Sequence, residues 1–107
     1  MSRAGKNSKR VKKPARRQLQ LPQVLDLTAA APLAQSLLSR RGADLVVDAS
    51  RVQRVGAQCL QVLLAAAATW KMDGARLRLV KPSDAFLEVG RLSGINLDQD
   101  ITRDQSL

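Results

Sequence analysis

Residues Asp44–Lys81 read DLVVDASRVQRVGAQCLQVLLAAAATWKMDGARLRLVK, and this stretch decides the fold. Its two ends, Asp44–Asp48 and Arg76–Lys81, are short and apolar and have the composition of strands. Between them, from about Gly56 to Asp73, apolar residues repeat at helical spacing, and Gly74 suits the turn that ends a helix. Strand, helix and strand at this spacing predict a βαβ unit with parallel strands.

The residues before this unit continue the pattern. Gln18–Leu27 alternates between polar and apolar side chains around Pro22, which predicts an edge strand or a hairpin-like start. Thr28 is a suitable N-cap for a helix that runs to about Arg41, and Gly42 is placed to end it. The apolar side chains that repeat along this helix are Ala30, Leu33, Ala34, Leu37 and Leu38.

The residues after the unit predict one more helix. Ser83 can cap a helix from Asp84 to about Leu92, with Phe86 facing inward. After Gly94 the chain has enough apolar character for one short strand only. Together these elements predict an α/β domain with a small parallel sheet.

The net charge of +9 is unevenly distributed along the chain. The first 19 residues contain eight Lys and Arg and no acid, whereas ten bases and nine acids follow from Gln20 onward. Residues 1–18 also lack the apolar side chains needed to offset the entropy of ordering, so they predict a disordered tail before a folded domain at 19–107. The tail could weakly bind an acidic protein, RNA or an anionic membrane surface, or serve only solubility. Without interleaved aromatic residues, it does not predict specific nucleic-acid binding.

The composition argues against an enzyme. The chain has no His and a single Cys, so it offers no His-paired nucleophile, disulfide or cysteine metal cluster. It also lacks a glycine-rich phosphate loop and an apolar run long enough to span a bilayer. We therefore predict a non-enzymatic protein without cofactor or metal, and the lone Cys59 fits a reducing cytoplasm.

The predicted central helix has two contrasting faces. One face carries an apolar stripe that should pack on the sheet, formed by Cys59, Leu60, Leu63, Ala66, Ala67 and Trp70. The opposite face is uncharged and consists of Gln58, Gln61, Ala65, Ala68, Thr69 and Met72. A protein partner could cover this outer face, another helix of the domain could cover it, or alanine could simply favour helix formation.

The loop before the central helix joins this outer face as a candidate partner-binding surface. Cys59 lies on the inward stripe, which favours a buried thiol over a reactive one. Ser50 suits a loop-capping hydroxyl better than a phosphorylation site. The candidate partner-binding residues are Ser50, Arg51, Arg54, Val55, Gly56, Ala57, Gln58, Gln61 and Ala65.

The motif Asp-x-Ser-x-Val-x-x-Val, which begins at Asp48 and is followed by a helix, resembles the STAS domain of anti-sigma-factor antagonists. The resemblance covers about Leu19 to Leu97. It implies a small β-sheet with βαβ units and helices packed on one face. The residues that match the family pattern are Asp48, Ser50, Val52, Val55, Leu60, Val62 and Leu63.

One departure from that family concerns phosphorylation. Phosphorylated members carry Asp-Ser-Ser-Gly at the start of the helix, where a partner kinase modifies a serine. Gly56, Ala57, Gln58 and Cys59 occupy those positions here. With Ala57 in place of the acceptor, the resemblance implies that the usual phosphorylation switch is absent.

The stretch VQRVGAQCLQVLLAAAATW (Val52–Trp70) is similar to the single-domain STAS proteins encoded with bacterial chemotaxis genes. This similarity implies a cytoplasmic accessory protein that binds the chemotaxis histidine kinase and modulates its phosphorelay. Two alternatives remain open, an anti-sigma-factor antagonist that regulates transcription and a STAS subunit of a lipid-transporting ABC complex.

Overall fold

The computed structural model describes residues 17–103, so most of the predicted basic tail lies outside the described residues. Its main sheet has four strands, all parallel, in the order β1-β3-β5-β6. A separate parallel pair consists of β2 and β4. The strands are β1 Arg17–Gln20, β2 Val24–Leu25, β3 Leu45–Asp48, β4 Arg54–Val55, β5 Leu77–Val80 and β6 Thr102–Arg103.

Three helices of at least two turns connect the strands of the main sheet. They are α1 Ala30–Leu38, α2 Ala57–Met72 and α3 Asp84–Leu92. A 3-10 turn, Leu27–Ala29, leads into α1, and a four-residue helix, α4 Leu97–Asp100, precedes β6. Among the described residues, no helix is both long and apolar enough to cross a membrane.

The three longer helices pack on one face of the sheet. The chain always moves to the neighbouring strand in the same direction, and right-handed crossovers then place every connecting helix on the same side. Burial agrees, because Leu45, Val47, Leu77 and Leu79 on that side are buried, whereas Val46 and Arg78 on the other side remain partly exposed. The predicted α/β class, parallel sheet and one-sided helices are confirmed.

Aliphatic side chains dominate the core. Trp70 and Phe86, the two aromatic residues of the chain, are both buried. The Trp70 indole also donates a hydrogen bond of 2.8 Å from Nε1 to the carbonyl of Ala43, just before β3. The indole therefore fixes the end of α2 against the start of a central strand.

The start of α1 differs from the prediction, because Asp26 caps this segment instead of Thr28. Asp26 Oδ1 accepts hydrogen bonds from the amides of Thr28 and Ala29, at 3.1 and 3.2 Å. The Thr28 hydroxyl donates to the same oxygen at 2.6 Å, so it supports the cap without providing it. A 3-10 turn therefore comes before the helix proper, which a single N-cap residue does not predict.

The end of α1 also comes earlier than predicted, at Leu38 instead of Arg41. Arg41 forms a bidentate ion pair with Asp73, with nitrogen–oxygen distances of 2.8 and 3.0 Å. Gly42 has a positive φ of 95° and turns the chain into β3. The contact between Arg41 and Asp73 therefore ties the end of α1 to the end of α2.

Predicted and observed bounds agree best for α2 and α3. Ser83 caps α3 as predicted, because its hydroxyl oxygen accepts a 3.1 Å hydrogen bond from the Phe86 amide. After Gly94, however, the prediction of a single short strand missed α4. Leu97 and Ile101, four residues apart, are both buried at this helix, but one turn is too short to show a helical period in the sequence.

Candidate functional site

The loop between β3 and α2 begins at a buried carboxylate. Asp48 is 7% exposed, and its Oδ1 accepts a 2.8 Å hydrogen bond from the Ser50 amide. Burial alone raises the pKa of Asp48, but hydrogen bonds from the Ser50 hydroxyl and amide and the positive charge of Lys81 outweigh it and lower the pKa. Asp48 is therefore ionised at neutral pH and caps the loop.

We expect the free energy of unfolding of Asp48→Asn to fall less steeply with decreasing pH than that of the unchanged protein. Because the folded pKa of Asp48 lies below its unfolded value, ionised Asp48 stabilises the fold above the unfolded pKa, and this contribution disappears as the pH falls through the folded pKa. Asn keeps the acceptor oxygen but cannot titrate. Urea unfolding at a series of pH values from neutral to acid measures how steeply the free energy of unfolding falls with pH. Ser50→Ala should reduce this slope in part. An unchanged slope in Asp48→Asn would contradict this role.

The loop is held to two neighbouring segments. The amides of Gln53 and Arg54 both donate to the carbonyl of Gln23, at 2.8 and 3.1 Å. On the other side, the Ser83 hydroxyl donates to the Val52 carbonyl at 2.5 Å while it caps α3. The sequence predicted Ser83 only as a cap, and its second contact fixes the shape of the loop.

The first turn of α2 carries no hydroxyl group. Gly56 is the N-cap, its amide donates to the Leu25 carbonyl at 2.8 Å, and its missing side chain leaves the turn without a side-chain cap. Ala57 follows and is exposed. The position that the resemblance assigns to a phosphoacceptor therefore presents a methyl group to solvent.

Cys59 is a buried thiol, in agreement with the favoured interpretation of the sequence. It is 1% exposed, and its Sγ donates to the Asp26 carbonyl at 3.3 Å. Burial, and to a lesser degree the charge of Asp26, raises the pKa of the thiol. Cys59 therefore joins α2 to the segment before α1 and is not poised for reaction.

Most of the candidate partner-binding residues lie on the surface, in two groups. Ser50, Arg51 and Arg54 are exposed in the loop and in β4. A second exposed group lines one face of α2 and consists of Ala57, Gln58, Gln61 and Ala65. Gly56 is half-buried, and Val55 is buried in the core, where it can only position the loop.

The open surface of α2, which we call the outer face, extends over the whole helix. Beyond Ala65 it continues through Ala68 to Met72, which is 87% exposed. Helix α1 lies beside the flank of this face at Val62 and Thr69, where the two helices border an apolar groove of about 170 Å³ that Ala65 also lines. Another helix of the domain therefore covers the edge of the outer face and leaves its centre open.

This groove is a feature that sequence reasoning missed. Leu38 at its rim, the last residue of the apolar repeat along α1, is 59% exposed. On the helical wheel of α1, Leu38 borders the buried stripe, and this position was the signal in the sequence for an exposed side chain at the rim.

Among residues 17–103 whose side chains are described, no cluster of His, Cys, Asp and Glu could hold a metal ion.

Comparisons with known proteins agree with this architecture. A family model described as "Mlab, STAS domain" matches residues 8–101. The crystal structure of a "putative anti-sigma factor antagonist" from Thermotoga maritima superposes with a TM-score of 0.68 at 17% identity, over 84% of this chain and 80% of that one. The NMR structure of the protein TM1081 gives 0.67, also at 17% identity, over 83% and 73%. A search of curated proteins finds no significant match.

At 17% identity the two solved structures establish the fold alone. The family match spans nearly all of the described residues, including the Asp48 loop and the whole of α2. STAS domains are generally non-catalytic modules that interact with other proteins. This chain belongs to the STAS domain family, in the branch whose model is described as Mlab, STAS domain.

Proposed function

We propose that this protein is a non-enzymatic interaction module of the cytoplasm that holds a protein partner on the outer face of α2 and the adjoining loop. The observation that carries the proposal is the exposure of Ala57, Gln58, Gln61 and Ala65 along one line of the longest helix. Ala57 and Ala65 lose no rotamer entropy when a partner covers them, and Gln58 and Gln61 can hydrogen-bond to a partner without bringing a charge into the contact.

The chemistry of the outer face supports a protein partner. A solvated helix face is usually rich in Lys and Glu, whereas the centres of protein interfaces are depleted of charge. The outer face has no charged residue until Lys71 on its flank, while Arg51 and Arg54 lie exposed beside its start. The surface therefore has an uncharged centre and a basic rim, which favours a partner with acidic residues around an apolar or neutral patch.

The proposed module does not use the phosphorylation switch of its relatives. A phosphoryl group would bring a charge of about −1.5 to −2 to the start of the helix and change partner binding strongly. Ala57 has no oxygen to receive it, Gly56 has no side chain, and the side chains of Gln58 and Cys59 are not acceptors for a serine kinase. Partner capture would then depend on shape and on the amount of each protein.

The sequence resemblance of Val52–Trp70 supports a chemotaxis histidine kinase as the partner, whose phosphorelay the module would modulate. The fold and family fit an anti-sigma factor equally well, which would make the protein a regulator of transcription. A nucleotide-binding subunit of a lipid-transporting ABC complex is the third candidate partner. The three candidates make the same prediction for the outer face and differ in which purified protein binds.

We expect Gln58→Arg and Gln61→Arg each to weaken partner binding by about tenfold or more, because a buried, unpaired charge opposes association. Gln35→Arg on the exposed side of α1 is the matched control and should bind normally. All three residues are exposed, so thermal stability should change little. Titration calorimetry with each purified candidate measures both affinity and partner choice.

Two results would contradict the proposal. If both α2 variants bind every competent partner as tightly as the unchanged chain, the contact surface lies elsewhere. If incubation with an anti-sigma kinase and ATP gives stoichiometric phosphate on Ser50 by mass spectrometry, a phosphorylation switch operates after all. If an anti-sigma factor binds without phosphate transfer, the protein is still an interaction module, but its partner is the anti-sigma factor and not the chemotaxis kinase.

A further inference from the structure

We propose that the groove between α1 and α2 is an anchor pocket, which receives one large apolar side chain, a Phe or a Leu, from the protein partner. The inference rests on the proposed function and deepens it, because it names the chemistry by which the partner is held. Three features support it: the size and lining of the groove, the absence of charge in the two helices beside it, and its continuity with the outer face.

The groove has room for one side chain and is too small for most metabolites. Its volume is about 170 Å³, whereas pockets for small-molecule ligands generally measure about 300–1,000 Å³. An apolar cavity of roughly 150 Å³ accommodates one benzene molecule, so a phenyl or isobutyl group fits in this space. Alanines create the space, because Ala34 of α1 and Ala65 and Ala66 of α2 all line the groove, and larger side chains at these positions would fill it.

The walls of the groove favour an apolar occupant. Leu37, Leu38 and Val62 contribute to the lining, and Leu38 is 59% exposed, so it has apolar area left to bury. Two lining side chains carry a polar atom. The Trp70 Nε1 already donates to the Ala43 carbonyl at 2.8 Å, and the other atom is the Thr69 hydroxyl oxygen. A charged ligand would lose its hydration in the groove without gaining a charged partner, which is unfavourable.

The two helices carry no charged side chain that could lie over the groove. Residues 27–39 and 55–70 contain no Asp, Glu, Lys or Arg. Long charged side chains commonly cover apolar surface with their methylene groups. The nearest cations after α1 are engaged elsewhere, since Arg40 donates to the Ser36 carbonyl at 2.7 Å and Arg41 pairs with Asp73. The groove is therefore left for a side chain from another molecule.

The groove is continuous with the surface that we assign to the partner. Ala65 belongs to the exposed line of the outer face and also lines the groove. A partner segment that covers Gln61 and Ala65 passes the mouth of the groove, where an apolar side chain can enter. Side chains that fill such pockets generally contribute much of the binding free energy of an interface.

The absence of charge also defines the partner residues beside the anchor. A carboxylate or ammonium group next to the anchor would be desolvated against α1 and α2, which have no charged residue there to pair with it. We therefore expect the anchor to lie between uncharged residues of the partner, with acidic residues farther away, near Arg51 and Arg54 at the start of α2.

Methyl NMR of the full chain tests the groove without a partner. The probes are N-acetyl-phenylalanine methylamide and N-acetyl-leucine methylamide at millimolar concentration, and N-acetyl-glutamate methylamide is the negative control. We expect saturable shifts of the methyl signals of Ala34, Val62 and Ala65 with the two apolar probes and none with the control. Ala34→Leu should abolish these shifts, because its added isobutyl group occupies the groove.

Two variants that fill the groove test its role in partner binding. Ala34→Leu fills it from α1 and Thr69→Leu fills it from α2. Each should weaken binding of the tightest of the purified candidate partners by about tenfold or more. The melting temperature should stay the same or rise, since filling a void adds apolar contacts. Ala85→Leu on α3 is the matched control, because Ala85 is also partly buried but does not line the groove, and it should bind normally.

Two results would overturn the inference: no saturable shifts at the groove methyls with either apolar probe, or normal partner binding by folded Ala34→Leu and Thr69→Leu. If Gln58→Arg and Gln61→Arg weaken binding while the groove variants do not, the proposed function stands and the anchor is wrong. The reverse pattern keeps the anchor and removes the outer face from the contact. Dimerisation of the chain that Ala34→Leu abolishes would assign the groove to a second copy and also overturn the inference.

Discussion

Trp70→Ala should lower the free energy of unfolding by about 3–5 kcal/mol, which is the usual cost of removing a fully buried aromatic side chain. Trp70 is 1% exposed and contributes the largest side chain to the core. The variant also loses the hydrogen bond from Nε1 to the Ala43 carbonyl. Because a domain of this size is generally stable by about 5–15 kcal/mol, the loss removes a large part of the total.

Trp70→Phe separates the two contributions. It keeps most of the apolar volume and removes the indole donor, so we expect a smaller cost of about 1–3 kcal/mol. Urea unfolding followed by far-ultraviolet circular dichroism measures both variants without relying on the fluorescence of the replaced residue. A cost below about 1 kcal/mol for Trp70→Ala would mean that the end of α2 is not packed as described.

Ser83→Ala is expected to cost about 2–3 kcal/mol, because one hydroxyl serves two purposes. It caps α3 by accepting from the Phe86 amide, and loss of such a cap alone costs about 1 kcal/mol. It also donates to the Val52 carbonyl, which loses its partner in the variant. We therefore expect the loop before α2 to become more mobile as well as the domain less stable.

Hydrogen exchange distinguishes the two roles of Ser83. In Ser83→Ala, the amide of Val52 in the loop and the Phe86 amide of α3 should both exchange faster than in the unchanged protein. Ser83→Thr keeps a hydroxyl and should retain most of the protection and stability. Faster exchange in α3 with an unchanged loop would show that the contact with Val52 does not hold the loop in solution.

The main elements could be predicted because their signals are long. Sixteen residues of α2 give more than four turns of helical period, so its bounds and its buried stripe were predictable. The parallel sheet followed from the order of strands and helices. Ser83 was recognisable as a cap because the residue type and its position before an amphipathic segment agree.

Other parts of the fold were beyond sequence reasoning for physical reasons. Asp26 and Thr28 are both good caps, and only the geometry of the 3-10 turn decides between them. Strands β2 and β4 have two residues each, too few for any alternation. As a result, Val55 was predicted on the partner surface, although its side chain packs in the core.

The sequence was enough to predict which residues of α2 share the outer face, but not where that face ends. A helical wheel places Gln58, Gln61 and Ala65 together without knowledge of the fold. How much of that face α1 covers depends on the angle between two helices, which the sequence does not reveal. The hydrogen bond between Ser83 and Val52 joins residues 31 positions apart, so no local pattern could indicate it.

The common direction of the three longer helices has an electrostatic consequence. Each helix carries a dipole equivalent to about half a positive charge at its first turn and half a negative charge at its last. In this fold the three dipoles are aligned and add, so the backbone itself polarises the domain from edge to edge. The positive pole adds to the attraction of Arg51 and Arg54 for carboxylates. At the negative pole, Lys71 and Arg91 in the last turns of their helices compensate the dipoles.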